Sequence, residues 1–271
     1  MTSTPTGPEL LAHERAGPVG GSPVLLLHAG IADRRMWDPQ WDSLVVDHDV
    51  VRPDLRGSGE SSTLPEGPLS DVDDVARLLD TLGVARCHVI GASFGAGVAT
   101  ELALTRPDLV RSLLLCPPGG SLLVLRTPDL QAFAEAENAA LERGDLPAAV
   151  EANIGTWVVG SGRSEADVDA GLLAAVRRMQ HRAFEIQAAW GEGHDVAELD
   201  PPARDRLGEL GCPVHVLVGE HDLDTCIDAA DRVSEAVPGA VRTQWPDAAH
   251  LPSMEHPGRF LQLVRAWTGS T

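Results

Sequence analysis

Five residues, Gly91-Ala92-Ser93-Phe94-Gly95, constrain this chain more than any others. They follow an apolar, β-prone run, Cys87-His88-Val89-Ile90, and precede a helix-forming run from Ala96 to Thr105 that Pro107 ends. A strand that passes into a helix through so short a link must turn sharply. The residue at the corner takes a strained backbone angle, and the residues two before and two after it must be small because strand and helix nearly touch. Gly91 and Gly95 meet that demand, and Ala96 and Gly97 keep the helix slim. The turn projects the Ser93 hydroxyl above the sheet, beside the free N–H groups and positive dipole end of a helix N-terminus. Read as a local pattern alone, the same residues also describe a glycine-rich turn with an idle serine.

The rest of the chain alternates strand and helix around this turn. A short edge strand is read at Glu9 to Glu14. Val24-Leu25-Leu26-Leu27-His28 is an uninterrupted apolar run, as a strand covered on both faces requires. Asp38-Pro39 reads as a helix cap with a first-turn proline, and Asp49 to Arg52 as a second central strand. Ser70 and Asp73 form the pattern of a capping box for a helix to Leu82, which Gly83 closes. Leu113 to Cys116 is the next strand. From about Ser121 to Leu210 the signals are helical: Thr127-Pro128, Asp145, and Ser164 with Asp167 each open a helix. Alternation resumes with a strand at Val214 to Gly219, a helix at Ile227 to Val237, a strand at Val241 to Trp245 and a C-terminal helix from Pro257. The expected fold is α/β, a mostly parallel sheet with helices on both faces. Residues 1–120 and 211–271 make the core, and residues 121–210 a helical lid over the strand ends, where open α/β sheets bind ligands.

Serine chemistry needs a base, an anion to hold that base in one tautomer, and donors for the oxyanion. His250, in the loop after the last strand, is the candidate base. Asp222, in the loop after the preceding strand, is the candidate anion, and Asp224 competes with it two residues on. The first oxyanion donor is the N–H of Phe94 and the second the N–H of Gly30, with Ile31 next in line. His28 reads as a histidine that shapes this loop, Asp54 and Arg56 as an internal ion pair, and His221 as solvent-facing. Trp157 and Trp190 are either core of the helical segment or walls of a pocket, which Ile31 and Leu251 also line. Trp37 reads as core.

Composition narrows the chemistry further. All 21 basic residues are arginine, and there is neither lysine nor tyrosine, which excludes a phosphate-loop lysine, a Schiff-base lysine and a Tyr/Lys reduction pair. Cys87, Cys116, Cys212 and Cys226 lack metal or redox spacing, and no zinc pattern is present, so neither cofactor nor metal is expected. The four cysteines read as reduced thiols of a cytoplasmic protein. The formal net charge of −19 argues against nucleic acid and anionic membrane as partners. The N-terminal residues lack the pattern of a secretory signal.

Taken together, Leu27-His28-Ala29-Gly30, Asp54-Leu55-Arg56-Gly57-Ser58-Gly59-Glu60-Ser61, the Ser93 turn, Gly219-Glu220-His221-Asp222 and Ala249-His250-Leu251-Pro252 resemble the α/β-hydrolase superfamily over nearly the whole chain. The lidded esterase, enol-lactone hydrolase and cofactor-free haloperoxidase groups are nearest. The resemblance implies a helical lid inserted between the sixth and seventh strands, and hydrolysis of a small-molecule ester or lactone by Ser93, His250 and Asp222. Ala29 departs from the family pattern, which has glycine there. The same residues also fit carbon–carbon bond hydrolysis, thioesterase or acyl-transfer chemistry, and, from another class, a small-ligand-binding signalling protein. The oligomeric state, monomer or homodimer, is open.

Overall fold

The apolar run at Val24–Leu27 forms a strand with all four side chains buried, as its unbroken hydrophobicity demands. A computed structural model describes residues 10–18, 23–124, 127–191 and 194–270. Its strands are β1 (His13–Ala16), β2 (Val24–Leu27), β3 (Val50–Pro53), β4 (Cys87–Ser93), β5 (Val110–Pro118), β6 (Val214–Gly219) and β7 (Val241–Trp245). They form one sheet in the order β1-β3-β2-β4-β5-β6-β7, with β1 antiparallel to β3 and all other pairs parallel. The helices are α1 (Asp38–Leu44), α2 (Asp71–Thr81), α3 (Phe94–Thr105), α4 (Pro128–Glu142), α5 (Leu146–Asn153), α6 (Ala170–Trp190), α7 (Asp224–Ala236), α8 (Pro252–Glu255) and α9 (Pro257–Ser270).

Period-two alternation splits the core between the two sheet faces. Leu25, Leu27, Val89, Leu113, Leu115, Val216 and Val218 pack with α2, α3 and α7. Leu26, Ile90, Leu114 and Leu217 point the other way, to α9 and to the helical segment. That second cluster runs without a break from the sheet into Ala140, Val150, Trp157, Val176 and Phe184 of the segment. β3 and β4 pair on opposite sides of β2, so strand order reverses between β2 and β4, and the carboxyl end of β4 opens on the sheet's crevice.

Several expectations shift. The helical segment lies between β5 and β6, the fifth and sixth strands, rather than between a sixth and a seventh, because the described residues before it form five strands. The edge strand is His13–Ala16, because pairing with Val50–Pro53 sets its register; Glu9 and the N-terminal residues read for a signal lie outside the described residues. Asp38 does not cap α1. Asp33 instead accepts the Arg35 N–H of a preceding 3-10 turn, and the Asp38 carboxylate takes Arg52. The Ser164–Asp167 box closes a separate 3-10 turn, and Asp169 caps α6. The helix read from Ile227 begins earlier, at Asp224.

Candidate active site

The corner at Ser93 has φ 52° and ψ −114°, and Ser93 is the one non-glycine with positive φ among the described residues. The flanking glycines permit it. A Cβ on Gly91 would collide with the Gly95 carbonyl, and one on Gly95 would sit 2.6 Å from the carbonyl oxygens of Leu27 and His28. Strand, turn and helix are thus pressed together with no space for a side chain, and the serine hydroxyl is the group left pointing outward.

The structure brings His250 and Asp222 to this hydroxyl. His250 Nε2 lies 2.7 Å from Ser93 Oγ, and His250 Nδ1 lies 2.8 Å from both carboxylate oxygens of Asp222. An ionised carboxylate only accepts, so Nδ1 carries the proton and Nε2 is left to accept the serine O–H. Asp222 also accepts the Leu223 N–H at 2.8 Å, which holds its plane. His250 and Asp222 are both buried, and Ser93 is half-buried. Asp224, the competing acid, is exposed at the first residue of α7.

The two candidate oxyanion donors, Gly30 and Phe94, come from separate chain segments. Phe94 opens α3, so its N–H lies outside the helix's own hydrogen bonding. A Cβ on Gly30 would touch the Phe94 Cβ at 3.5 Å, which places the two candidate donors side by side. Ala29 is fully buried in the apolar cluster, and its N–H meets Met36 Sδ at 3.3 Å. His28 braces the loop: its Nδ1–H donates to the Ala29 carbonyl and its Nε2 accepts the Leu55 N–H, each at 2.8 Å. Burial holds the His28 ring below its ordinary pKa, in keeping with this neutral tautomer. Asp54 and Arg56 do not pair. Asp54 takes Arg34 and the backbone N–H groups of Arg34 and Glu60, whereas Arg56 reaches Asp74 on α2 at 2.9 Å.

The aromatic residues separate. The Trp157 ring lies 4.6 Å from the His250 ring and 5.2 Å from Phe133, on the apolar cluster that also holds Ile31 and Leu251. Trp190 instead donates its Nε1–H to the Ser62 carbonyl at 2.7 Å and covers Gly57, which makes it a strut between α6 and the loop after β3. Trp37 stacks at 6.0 Å on Phe260 in the core. His221 is half-buried and tied to the helical segment, since its Nδ1–H donates to the Ser161 carbonyl at 2.9 Å.

Two neighbours of the site carry no short-range sequence signal. Cys226 is fully buried on α7, and its thiol donates to Asp222; burial and that carboxylate push it well above the ordinary thiol range. Asp222, Cys226 and His250 are a set of potential metal ligands within 4.8 Å of one another. The 2.8 Å between His250 Nδ1 and Asp222 is a hydrogen-bond length, shorter than the separation of two ligands on one tetrahedral ion with bonds of about 2.0–2.2 Å. The second neighbour, Glu255, accepts the Ala249 N–H at 2.8 Å, one residue before His250. All four cysteines are unpaired.

Known proteins resemble this chain in sequence and in fold. The chain is 30% identical over 254 residues to the dihydrolipoyllysine-residue acetyltransferase component of the acetoin cleaving system of Cupriavidus necator, covering 92% of this chain. It spans 64% of that protein's length. Among solved structures it resembles a thermophilic esterase from Thermogutta terrifontis, at 29% identity and TM-score 0.77 over 99% of this chain and 96% of that one. It also resembles Est816, described as an N-acyl homoserine lactone degrading enzyme, at 25% identity and TM-score 0.72 over 94% and 96%. A family model matches residues 24–263, nearly the whole described core, and by it the chain belongs to the alpha/beta hydrolase family.

Proposed function

We infer that the protein is a serine hydrolase that cleaves a carboxylic ester or lactone through an acyl-enzyme. The observation that carries this reading is the hydrogen-bonded series Ser93 Oγ, His250, Asp222, set beside the N–H of Phe94 at the start of α3. Ser93 Oγ attacks the substrate carbonyl carbon while His250 Nε2 takes its proton. The resulting imidazolium keeps its Nδ1–H on Asp222, whose charge stabilises it. The carbonyl oxygen becomes an oxyanion facing the N–H groups of Gly30 and Phe94, and loss of one such donor typically costs ~3 kcal/mol of barrier. Collapse expels the alkoxide oxygen, which takes the proton from Nε2. Water then gives a proton to the same nitrogen and attacks the acyl carbon; the acid leaves as the acyl–Oγ bond breaks, and Ser93 Oγ takes the proton back from Nε2. Ile31, Leu251 and the Trp157 ring give the site an apolar wall, which suits an apolar acyl group.

The similarity to an acetyltransferase component supports a second outcome for the same intermediate, in which a thiol or alcohol replaces water. A fluorophosphonate probe with a p-nitrophenyl ester series, run on wild type and Ser93→Ala, tests the first reading. One label per chain at Ser93 with ester turnover is the expected result. No label, and no ester turned over faster by wild type than by Ser93→Ala, would favour the ligand-binding alternative. Added thiols or alcohols that accelerate turnover would favour transfer.

A further inference from the structure

Arg163 and Glu255 meet at 2.7 Å with side chains only 9% and 7% exposed. Arg163 belongs to the helical segment, and Glu255 ends α8, five residues beyond His250. A buried pair of this kind is held by the hydrogen bonds that satisfy its remaining atoms, and here those bonds lead to the site from both sides. Glu255 Oε1 accepts the N–H of Ala249, the residue before the base, while Oε2 takes the guanidinium. The rest of the Arg163 fork is satisfied by backbone. Nε–H donates to the Val159 carbonyl at 2.6 Å, and Nη2–H to the Val158 carbonyl at 3.0 Å. Val158 and Val159 end the wide turn Ile154–Val159, whose Trp157 lies against His250. Gly160, at φ 79°, lets that turn close onto the loops behind it. A Cβ there would collide with the His221 carbonyl and sit 2.7 Å from the Ala249 Cβ. Ser161 and His221 then exchange hydrogen bonds of 2.8 and 2.9 Å.

We propose that Arg163 and Glu255 are positioning residues that lock the loop carrying His250 and the turn carrying Trp157 into one unit, so that the helical segment sets how the base meets Ser93. The proposal rests on the hydrolase reading of Ser93 and His250. The pair touches no reacting atom. It acts on the base through the Ala249 backbone and through the Trp157 ring, two independent routes that converge on one imidazole. A base displaced by a fraction of an ångström loses rate through misalignment, while an apolar wall shifted by as little keeps most of its contact with the acyl group, so kcat falls more than KM rises.

The test uses the full-length chain, with turnover expressed per active site titrated by fluorophosphonate, so that misfolded protein does not count. Arg163→Met is expected to lower kcat per titrated site by about tenfold or more with KM within about threefold of wild type. Arg163→Lys, which keeps the charge but not the fork to both carbonyls, recovers part of that loss and serves if the methionine variant folds poorly. Glu255→Gln keeps an acceptor for the Ala249 N–H. Added to Arg163→Met it removes the uncompensated carboxylate, so the double variant is expected to turn over faster than the product of the single effects allows. If both Arg163 variants keep the wild-type kcat per titrated site and lose only thermal stability, the pair is structural and the proposal falls alone. A wild type that the probe does not label overturns both this proposal and the hydrolase reading.

Discussion

The Trp157 ring lies 4.6 Å from the His250 ring, tilted by 45°, so a residue of the helical segment forms one wall of the site at its base. Trp157 is buried and backed by Phe133 at 5.2 Å, which leaves its ring little freedom to leave the imidazole. Trp157→Ala is expected to lower kcat/KM for p-nitrophenyl esters by about tenfold and Trp157→Phe by no more than about threefold, because phenylalanine keeps an aromatic face. Urea titration should show a loss of roughly 3 kcal/mol for the alanine variant. An alanine variant as active as wild type would remove the ring from the account.

Asp222 and Asp224 lie two residues apart and have opposite surroundings. Asp222→Asn is expected to reduce kcat by roughly three to four orders of magnitude, since an amide no longer enforces the Nδ1–H tautomer of His250. Asp224→Asn, at an exposed helix start, should stay within about 0.5 kcal/mol of wild type in stability and near it in rate. Steady-state kinetics on the two variants decides between them, and the reverse order would move the acid.

Ser93 holds a backbone angle that suits glycine, and such strain is worth about 1–3 kcal/mol. Ser93→Gly is therefore expected to unfold at higher urea than Ser93→Ala, by about 1 kcal/mol, although both lack the hydroxyl and are inactive. Equal midpoints would mean that the corner is relaxed by its neighbours.

Stability should depend on pH through groups outside the site. Burial lowers His88, hydrogen-bonded to Ser112 at 2.8 Å, to about 4, and also lowers His28. The unfolded histidines bind protons first, so their contribution is complete above about pH 6.5 and is lost as pH falls toward the folded values. For His88 the full loss is on the order of 3 kcal/mol. Asp71 works in the opposite direction. Burial, with the charge of Asp74, raises it to about 6, so its contribution is present below about pH 4 and is lost as pH rises through 6. Urea unfolding between pH 4 and 7.5 should show a shallower acid loss for His88→Asn and a steeper one for Asp71→Asn. Profiles identical to wild type would mean that neither group titrates differently on folding.

The strand–turn–helix at Ser93, the apolar β2 run and the loops bearing Asp222 and His250 were legible in the sequence, because each is a local consequence of short-range pattern. Period-two burial, a corner that tolerates only glycine at its flanks, and Gly or Pro at element ends act within a few residues. Other features depend on partners far away in the chain. Asp54 pairs with Arg34 rather than Arg56 because the chain after β2 brings Arg34 to it, while α2 brings Asp74 to Arg56. Cys226 reaches Asp222 only because α7 folds back over β6, and Trp190 turns outward to Ser62 while Trp157 turns inward to His250, though both sit in helical sequence of similar composition. The register of β1, the place of the helical segment between β5 and β6, and the closure of Arg163 on Glu255 across 92 residues are likewise set by packing. Local pattern carries the candidate residues Ser93, Asp222 and His250 and the order in which they reach the sheet edge. Which side chains meet is set in the folded chain, because contacts between distant residues are chosen by shape and burial of the whole core, and no local pattern encodes them.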